Sequence, residues 1–135
     1  MKIGFFSYNS DYSVRPDDLA KELEDRDFDS FWVGEHTHIP ASRETPFPGG
    51  IDLPRPYYHF QDPFISLAMA AAVTKKITIA TGISLVVQHD PIVLAKTVAT
   101  LDHLSGGRFE FGIGGGWNQE EMENHGYQFQ RRWKL

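Results

Sequence analysis

Apolar residues occur in short blocks separated by proline- and glycine-marked breaks, and the period changes from one block to the next. Lys2 to Ser7, KIGFFS, is a compact apolar run and predicts a first strand. Pro16 followed by Asp17 and Asp18 marks a helix start, since proline suits the first turn and carboxylates complement the helix dipole. Leu19, Ala20 and Leu23 supply the narrow apolar stripe of that helix. Asp29 to Gly34, carrying Phe31, Trp32 and Val33, predicts a second strand. Asp62-Pro63 and Asp90-Pro91 are matching helix caps. Behind the first, Phe64, Leu67, Ala68, Ala71 and Ala72 recur at helical spacing; behind the second, Leu94, Ala95, Val98 and Leu101 do so. Between these helices, Ile77 to Leu85 is apolar on both faces, as a strand sandwiched between a barrel core and a helix layer requires. Gly106-Gly107 ends the longer helix, and Arg108 to Ile113 alternates Phe109, Phe111 and Ile113 in strand fashion. A last helix starts near Asn118, with Glu120, Glu121 and Glu123 as helix-start charges. Gly126 interrupts it, and residues 131–135 begin another helical turn.

The order βαβαβαβα predicts a parallel sheet with right-handed crossovers. A dinucleotide-binding fold would place its glycine fingerprint after strand one. Tyr8-Asn9-Ser10-Asp11 stands there instead, and the glycines (Gly112, Gly114, Gly115, Gly116) come at the end of strand four. Bare backbone there lets a flat ligand approach closely. That placement suits a TIM barrel, which needs eight such units and typically ~250 residues. The chain supplies four, so residues 1–135 are expected to form the N-terminal half of one barrel domain. Strands one and four are then expected to have an open edge each, favouring a homodimer or other self-association.

The stretch from Gly106 to Gly126, GGRFEFGIGGGWNQEEMENHG, resembles the signature of the bacterial luciferase-like monooxygenase superfamily. That signature is GRF, two residues, Gly, then a glycine-rich turn followed by Trp and acidic residues. The likeness extends through MKIGFFS, FWVGEHTHIP and TGISLVVQHDPIVLAKTVATLDHLSGGRF. It looks most like the F420-dependent oxidoreductase branch and covers about the first half of a family member. The resemblance implies a (β/α)8 barrel and two-electron chemistry on a small organic substrate, by hydride transfer or monooxygenation. Coenzyme F420 is the implied cofactor and FMN the alternative. A non-catalytic fragment or companion subunit of such a barrel is the rival reading.

Composition changes this picture only by exclusion. The net charge of -5 argues against a nucleic-acid surface, and Arg131, Arg132 and Lys134 form only a small basic cluster. No apolar run approaches a membrane span, and no signal peptide is evident. The absence of cysteine removes thiol nucleophiles and is compatible with a cytoplasmic setting.

A TIM barrel carries its chemistry at the C-terminal ends of its strands. That rule gathers Ser7-Tyr8-Asn9, Glu35-His36-Thr37-His38, Gly82 to Val86 and Gly112 to Trp117 onto one rim. His36 is the first candidate catalytic residue, because imidazole donates or accepts a proton near neutral pH. The resemblance implies a place for it beside the deazaflavin ring; its ordinary alternative is a hydrogen bond to loop backbone. Glu35 is read as orienting His36, as the proton-transfer group itself, or as a loop carboxylate. His36 and His38 spell H-x-H, but no further ligand stands at metal-site spacing, so no metal is expected. The resemblance also implies a bulge with a cis Gly82–Ile83 peptide backing the ring, which makes Gly82, Ile83 and Ser84 cofactor-binding candidates. Gly114 and Gly115 would admit the ring or its ribityl chain to the backbone. Trp117 is read either as walling the substrate pocket or as a core aromatic, while Trp32, Phe109 and Phe111 are expected in the core. The long loop 35–61, rich in proline and glycine, fits a functional segment.

Overall fold

The computed structural model describes residues 1–50 and 52–134. Its order is β1 (Gly4–Ser7), α1 (Pro16–Asp25), β2 (Ser30–Val33), α2 (Pro63–Val73), β3 (Thr78–Leu85), α3 (Pro91–Ser105), β4 (Phe109–Gly114) and α4 (Gln119–Asn124). Short 3₁₀ turns cover Arg55–His59, Val86–Gln88 and Phe129–Arg131. The four strands form one parallel sheet in the order β1-β2-β3-β4. Within the described residues β1 pairs only with β2 and β4 only with β3, the two open edges that a partial barrel implies.

Local chemistry explains the helix boundaries. Pro16 opens α1, and Arg15 pairs with Asp17 in its first turn. The Asp62 carboxylate accepts the Ile65 N–H, and that of Asp90 accepts those of Ile92 and Val93, so both aspartates satisfy donors that a helix start leaves orphaned. Gly106 ends α3 in the left-handed region at φ 72°, where a side chain is disfavoured.

The core lies between the helices and one face of the sheet. Ala20 and Leu23 of α1, Phe31 and Val33 of β2, Phe64, Leu67 and Ala70 of α2, Ile79 of β3, and Leu94 and Leu101 of α3 meet there. The expected face of α2 is rotated: Ala70 is buried, whereas Ala68 and Ala72 are exposed. The helix reads PFISLAMAAAV, apolar all round, so spacing alone does not select a face. Ala95 of α3 is likewise exposed. Trp32 is not in this core. It is half-buried on the opposite face, where its indole N–H donates to Ser30 Oγ at 2.7 Å, while Phe109 packs beside the core and Phe111 is exposed.

The N-terminal ends of the strands are tied down by charges set on backbone. The Glu24 carboxylate accepts the N–H groups of Lys75, Lys76 and Ile77 at 2.6–3.0 Å. Arg108, just before β4, donates to the carbonyls of Ala71, Thr74, Ile77 and Ser105 and to Thr74 Oγ1. One guanidinium thereby joins the end of α2, the start of β3 and the end of α3.

The segment 35–61 is anchored rather than free-standing. Ser10 and Phe60 form an antiparallel bridge, Gln61 N–H donates to the Asn9 carbonyl at 2.9 Å, and Asp11 N–H donates to that of His59 at 3.1 Å. This lays the Tyr57–Phe60 turn over the C-terminal ends of β1 and β2.

Candidate active site

Beyond the C-terminal ends of the strands lies a slot of about 490 Å³. Its walls include Phe6, Tyr57, Phe60, Ile113 and Trp117, with glycine backbone at 34, 82 and 114–116. Two carboxylate–histidine pairs flank it, and they do different things.

The first pair is His36 with Glu121. His36 stands three positions past the end of β2, and its side chain is only 6% exposed; that of Glu121 is 0% exposed. Nδ1 of His36 lies 2.6 Å from Glu121 Oε2. The Trp117 indole N–H, which can only donate, points at His36 Nε2 at 3.3 Å. These two partners select the tautomer with the proton on Nδ1 and leave Nε2 with a lone pair. Tyr57, Phe60 and Trp117 surround the ring, with centroid separations of 5.3–5.7 Å. The second carboxylate oxygen accepts the Thr37 N–H at 2.9 Å, so the carboxylate is held from both sides.

The second pair is Glu35 with His89. Glu35 turns away from His36 and accepts hydrogen bonds from Ser84 Oγ at 2.9 Å, Leu85 N–H at 2.6 Å and His89 Nε2 at 2.7 Å. Burial pushes its carboxyl up, but the His89 bond and charge, the Leu85 amide and the Ser84 hydroxyl outweigh this and hold it below the ordinary glutamate range. The bond to Glu35 in turn raises His89, against its own partial burial. Glu35 thus anchors the end of β3. The Gly82–Ile83 peptide there is cis, and the register with β4 slips between Thr81 and Ser84, the bulge that the resemblance implied.

The expected site residues divide accordingly. His36, Glu35, Gly82, Ile83, Gly114 and Gly115 all line the slot. Ser84 does not: it is buried beneath, bonded to Glu35. The role of orienting His36 falls to Glu121 and not to Glu35. Glu120 and Glu121 do stand in the first turn of α4, as expected. Glu121 is in addition the buried partner of His36. Its neighbour Glu120 accepts the N–H groups of Glu44 and Thr45 and is lowered to about 2, since those bonds outweigh the burial that would raise it. The sequence did carry a signal for Glu121. Asn118-x-x-Glu121 has capping-box spacing, and the Asn118 half of the box forms, at 3.4 Å to Glu121 N. The glutamate half reaches across to His36 instead. His89, Tyr57 and Phe60 had no local pattern to mark them.

A larger apolar groove of about 550 Å³ runs between α2 and α3 on the outer side, among Phe64, Ala68, Leu101 and Leu104. It contains no carboxylate and no histidine, whereas the slot is lined by both. Among the described residues no helix is long and apolar enough to cross a membrane.

Comparison with known proteins agrees with this architecture. The sequence profile of the luciferase-like monooxygenase family matches residues 15–135. An uncharacterised protein of Mycobacterium tuberculosis is 45% identical over 135 residues, covering 98% of this chain and 48% of its own length. The chain therefore spans about half the length of the curated relatives it matches. Among solved structures, the oxygenating component of 3,6-diketocamphane monooxygenase from Pseudomonas putida, in complex with FMN, superposes with a TM-score of 0.73 at 24% identity. It matches 95% of this chain with 33% of its own. The coenzyme F420-dependent tetrahydromethanopterin reductase of Methanopyrus kandleri gives 0.68 at 26% identity, over 95% of this chain and 30% of its own. The fold is thus part of a luciferase-like TIM barrel.

Proposed function

Because the chain belongs to the luciferase-like monooxygenase family, we propose that it serves two-electron redox chemistry on a small organic substrate, with a deazaflavin or flavin ring lying in the slot. The residues present fit such a ring. The walls are aromatic and apolar, and Gly34, Gly82 and Gly114 to Gly116 present bare backbone along the slot. A methyl at Gly34 would meet Phe6 and Phe60 at 3.4–3.5 Å, so the glycine keeps free the space between those rings. Gly82–Ile83 and Gly114–Gly115 would hold the ring from the β3 and β4 side. When bound, the ring supplies or accepts the hydride.

The observation that carries the reading is the imidazole of His36, fixed with its lone pair on Nε2 at the slot wall. A substrate hydroxyl that displaces the long Trp117 N–H bond gives its proton to Nε2 as hydride leaves the same carbinol, and takes that proton back in the reverse direction. The buried Glu121 carboxylate stabilises the imidazolium formed and keeps the ring from rotating. Trp117, Tyr57 and Phe60 exclude water from the ring faces.

F420 ranks above FMN because the motif set resembles the F420-dependent branch. Titrating both cofactors against the protein by fluorescence quenching tests this. Tighter binding of F420 is expected; tighter FMN moves the assignment to the flavin branch, and no saturable binding by folded protein removes the redox reading. A second reading, a companion chain without catalysis, is favoured by the exposure of Phe6, Ile83 and Ile113 at 40–58% on the slot side. On that reading the 135 residues alone bind neither cofactor.

A further inference from the structure

Behind His36 the hydrogen bonds continue outward. Thr37 Oγ1 lies 3.3 Å from Glu121 Oε1, 2.8 Å from His125 Nε2 and 2.9 Å from His38 Nδ1. His38 Nε2 in turn lies 2.9 Å from the Asn124 amide nitrogen. An amide nitrogen only donates, so His38 accepts on Nε2 and, when neutral, carries its proton on Nδ1, donating to Thr37. The single Thr37 hydroxyl hydrogen is then left with two acceptors, Glu121 Oε1 and His125 Nε2, and can serve only one.

We propose that Thr37 is a positioning residue for His36, its hydroxyl relaying the charge state of His125 to Glu121 and thereby to the ring nitrogen at the slot. This rests on the role of His36 given above. With His125 neutral, its Nε2 lone pair takes the Thr37 hydrogen, at the shorter of the two distances. Glu121 Oε1 then accepts only the Thr37 N–H and pulls hard on the Nδ1 proton of His36. With His125 protonated, Nε2–H donates to Thr37 Oγ1, and the hydroxyl hydrogen turns to Glu121. The carboxylate then accepts one more bond, its hold on the His36 proton weakens, and Nε2 becomes the poorer base.

The groups facing His125 set where this happens. Burial and the neighbouring His38 lower its proton affinity, Glu121 and Glu35 oppose that, and His89 adds to the lowering. His36 itself faces Glu121 from α4, Trp117 after β4 and Tyr57 from the 3₁₀ turn, with Glu35 and Asp62 across a small cavity of about 230 Å³. Thr37 is exposed, so the relay opens to solvent on the side away from the slot.

The test uses the protein labelled with ¹⁵N at histidine, without cofactor. The Nδ1 proton resonance of His36 reports its bond to Glu121. In the wild-type protein it is expected to move as His125 titrates, at a pH that burial and His38 shift below the ordinary histidine value. In Thr37→Val, which keeps the shape and removes the hydroxyl, that movement is lost, and in Thr37→Ser it is retained. His125→Gln removes it as well. A wild-type resonance indifferent to His125 overturns the proposal. So does movement that survives in Thr37→Val, or that is lost equally in Thr37→Ser. With cofactor and substrate, Thr37→Val is expected to keep the kcat/KM of the neutral-His125 state and to flatten its dependence on pH across the His125 titration. The resonance needs no ligand, so its failure leaves the redox reading standing, and failure of the cofactor titration leaves the relay standing.

Discussion

The two ends of the sheet use charge in opposite ways. At the N-terminal ends of the strands, Arg108 and Glu24 spend their hydrogen-bonding capacity on main-chain carbonyls and amides of segments distant in sequence. Such bonds fix where helices and strands meet, and they leave no group aimed at a ligand. At the C-terminal ends, the carboxylates of Glu35 and Glu121 are bonded to histidines, and one of those histidines lies in a slot wall. In His36 one nitrogen is committed to a buried carboxylate, and the other is held only by the longer Trp117 contact at 3.3 Å. On the function proposed above, the contrast separates residues that hold the fold from residues that do chemistry, although both ends are rich in polar contacts.

The largest expected effect falls on the chemical end. His36→Ala should lower turnover by ~10²–10⁴-fold, the usual weight of a general acid–base group. Its folding stability should fall as well, by about 1–3 kcal/mol, because the buried Glu121 carboxylate loses a partner. Steady-state kinetics beside urea unfolding of the same protein measures both, and an unchanged turnover number would take His36 out of the chemistry. Arg108→Ala should lower stability without lowering turnover. Five hydrogen bonds to partners in three segments are lost, and carbonyls of Ala71 and Ile77 lose this donor, so stability should fall by about 2–4 kcal/mol. Turnover per folded molecule should be retained; a parallel fall in both would erase the division between the ends.

A smaller effect sharpens the role of the second pair. Glu35 is held below its ordinary value of 4.5, so its contribution is present above that pH and is lost as pH falls through the folded-state value. His89 is raised above 6.5, so its contribution is complete below 6.5 and is lost as pH rises through the folded-state value. The charged pair therefore acts most between about pH 4.5 and 6.5. His89→Gln should lose stability chiefly in that window, by less than ~1 kcal/mol, since His89 is partly solvated. Chemical unfolding across pH measures this, and a deficit independent of pH would show that shape rather than charge matters at His89.

Much of this was legible beforehand, for reasons that particular residues make plain. The two Asp-Pro caps and the Gly106-Gly107 break bound α2 and α3 because capping is local chemistry. The cis peptide at Gly82–Ile83 and the glycine edge at 114–116 followed from resemblance, not from spacing. The face of α2 was not legible, since a helix apolar all round has no contrast to read. Nor was the partner of His36, because Glu121 is separated from it by 85 positions and stands where a capping-box glutamate would stand. Glu35, adjacent in sequence to His36, looked the better orienting group. But neighbours just beyond a strand end point in different directions, and Glu35 went to the β3 bulge.

The central claim is that the cofactor ring lies against the glycine backbone at the C-terminal ends of the strands. The most direct test is a cofactor titration of Gly34→Ala. The new methyl would make only ordinary contacts with Phe6 and Phe60, so the fold is expected to keep its stability, while the methyl occupies space in the slot. Binding of F420 should weaken by about tenfold or more, the usual consequence of one extra methyl in a close-fitting site. Undiminished binding to a protein of unchanged stability would contradict the account and put the ring elsewhere.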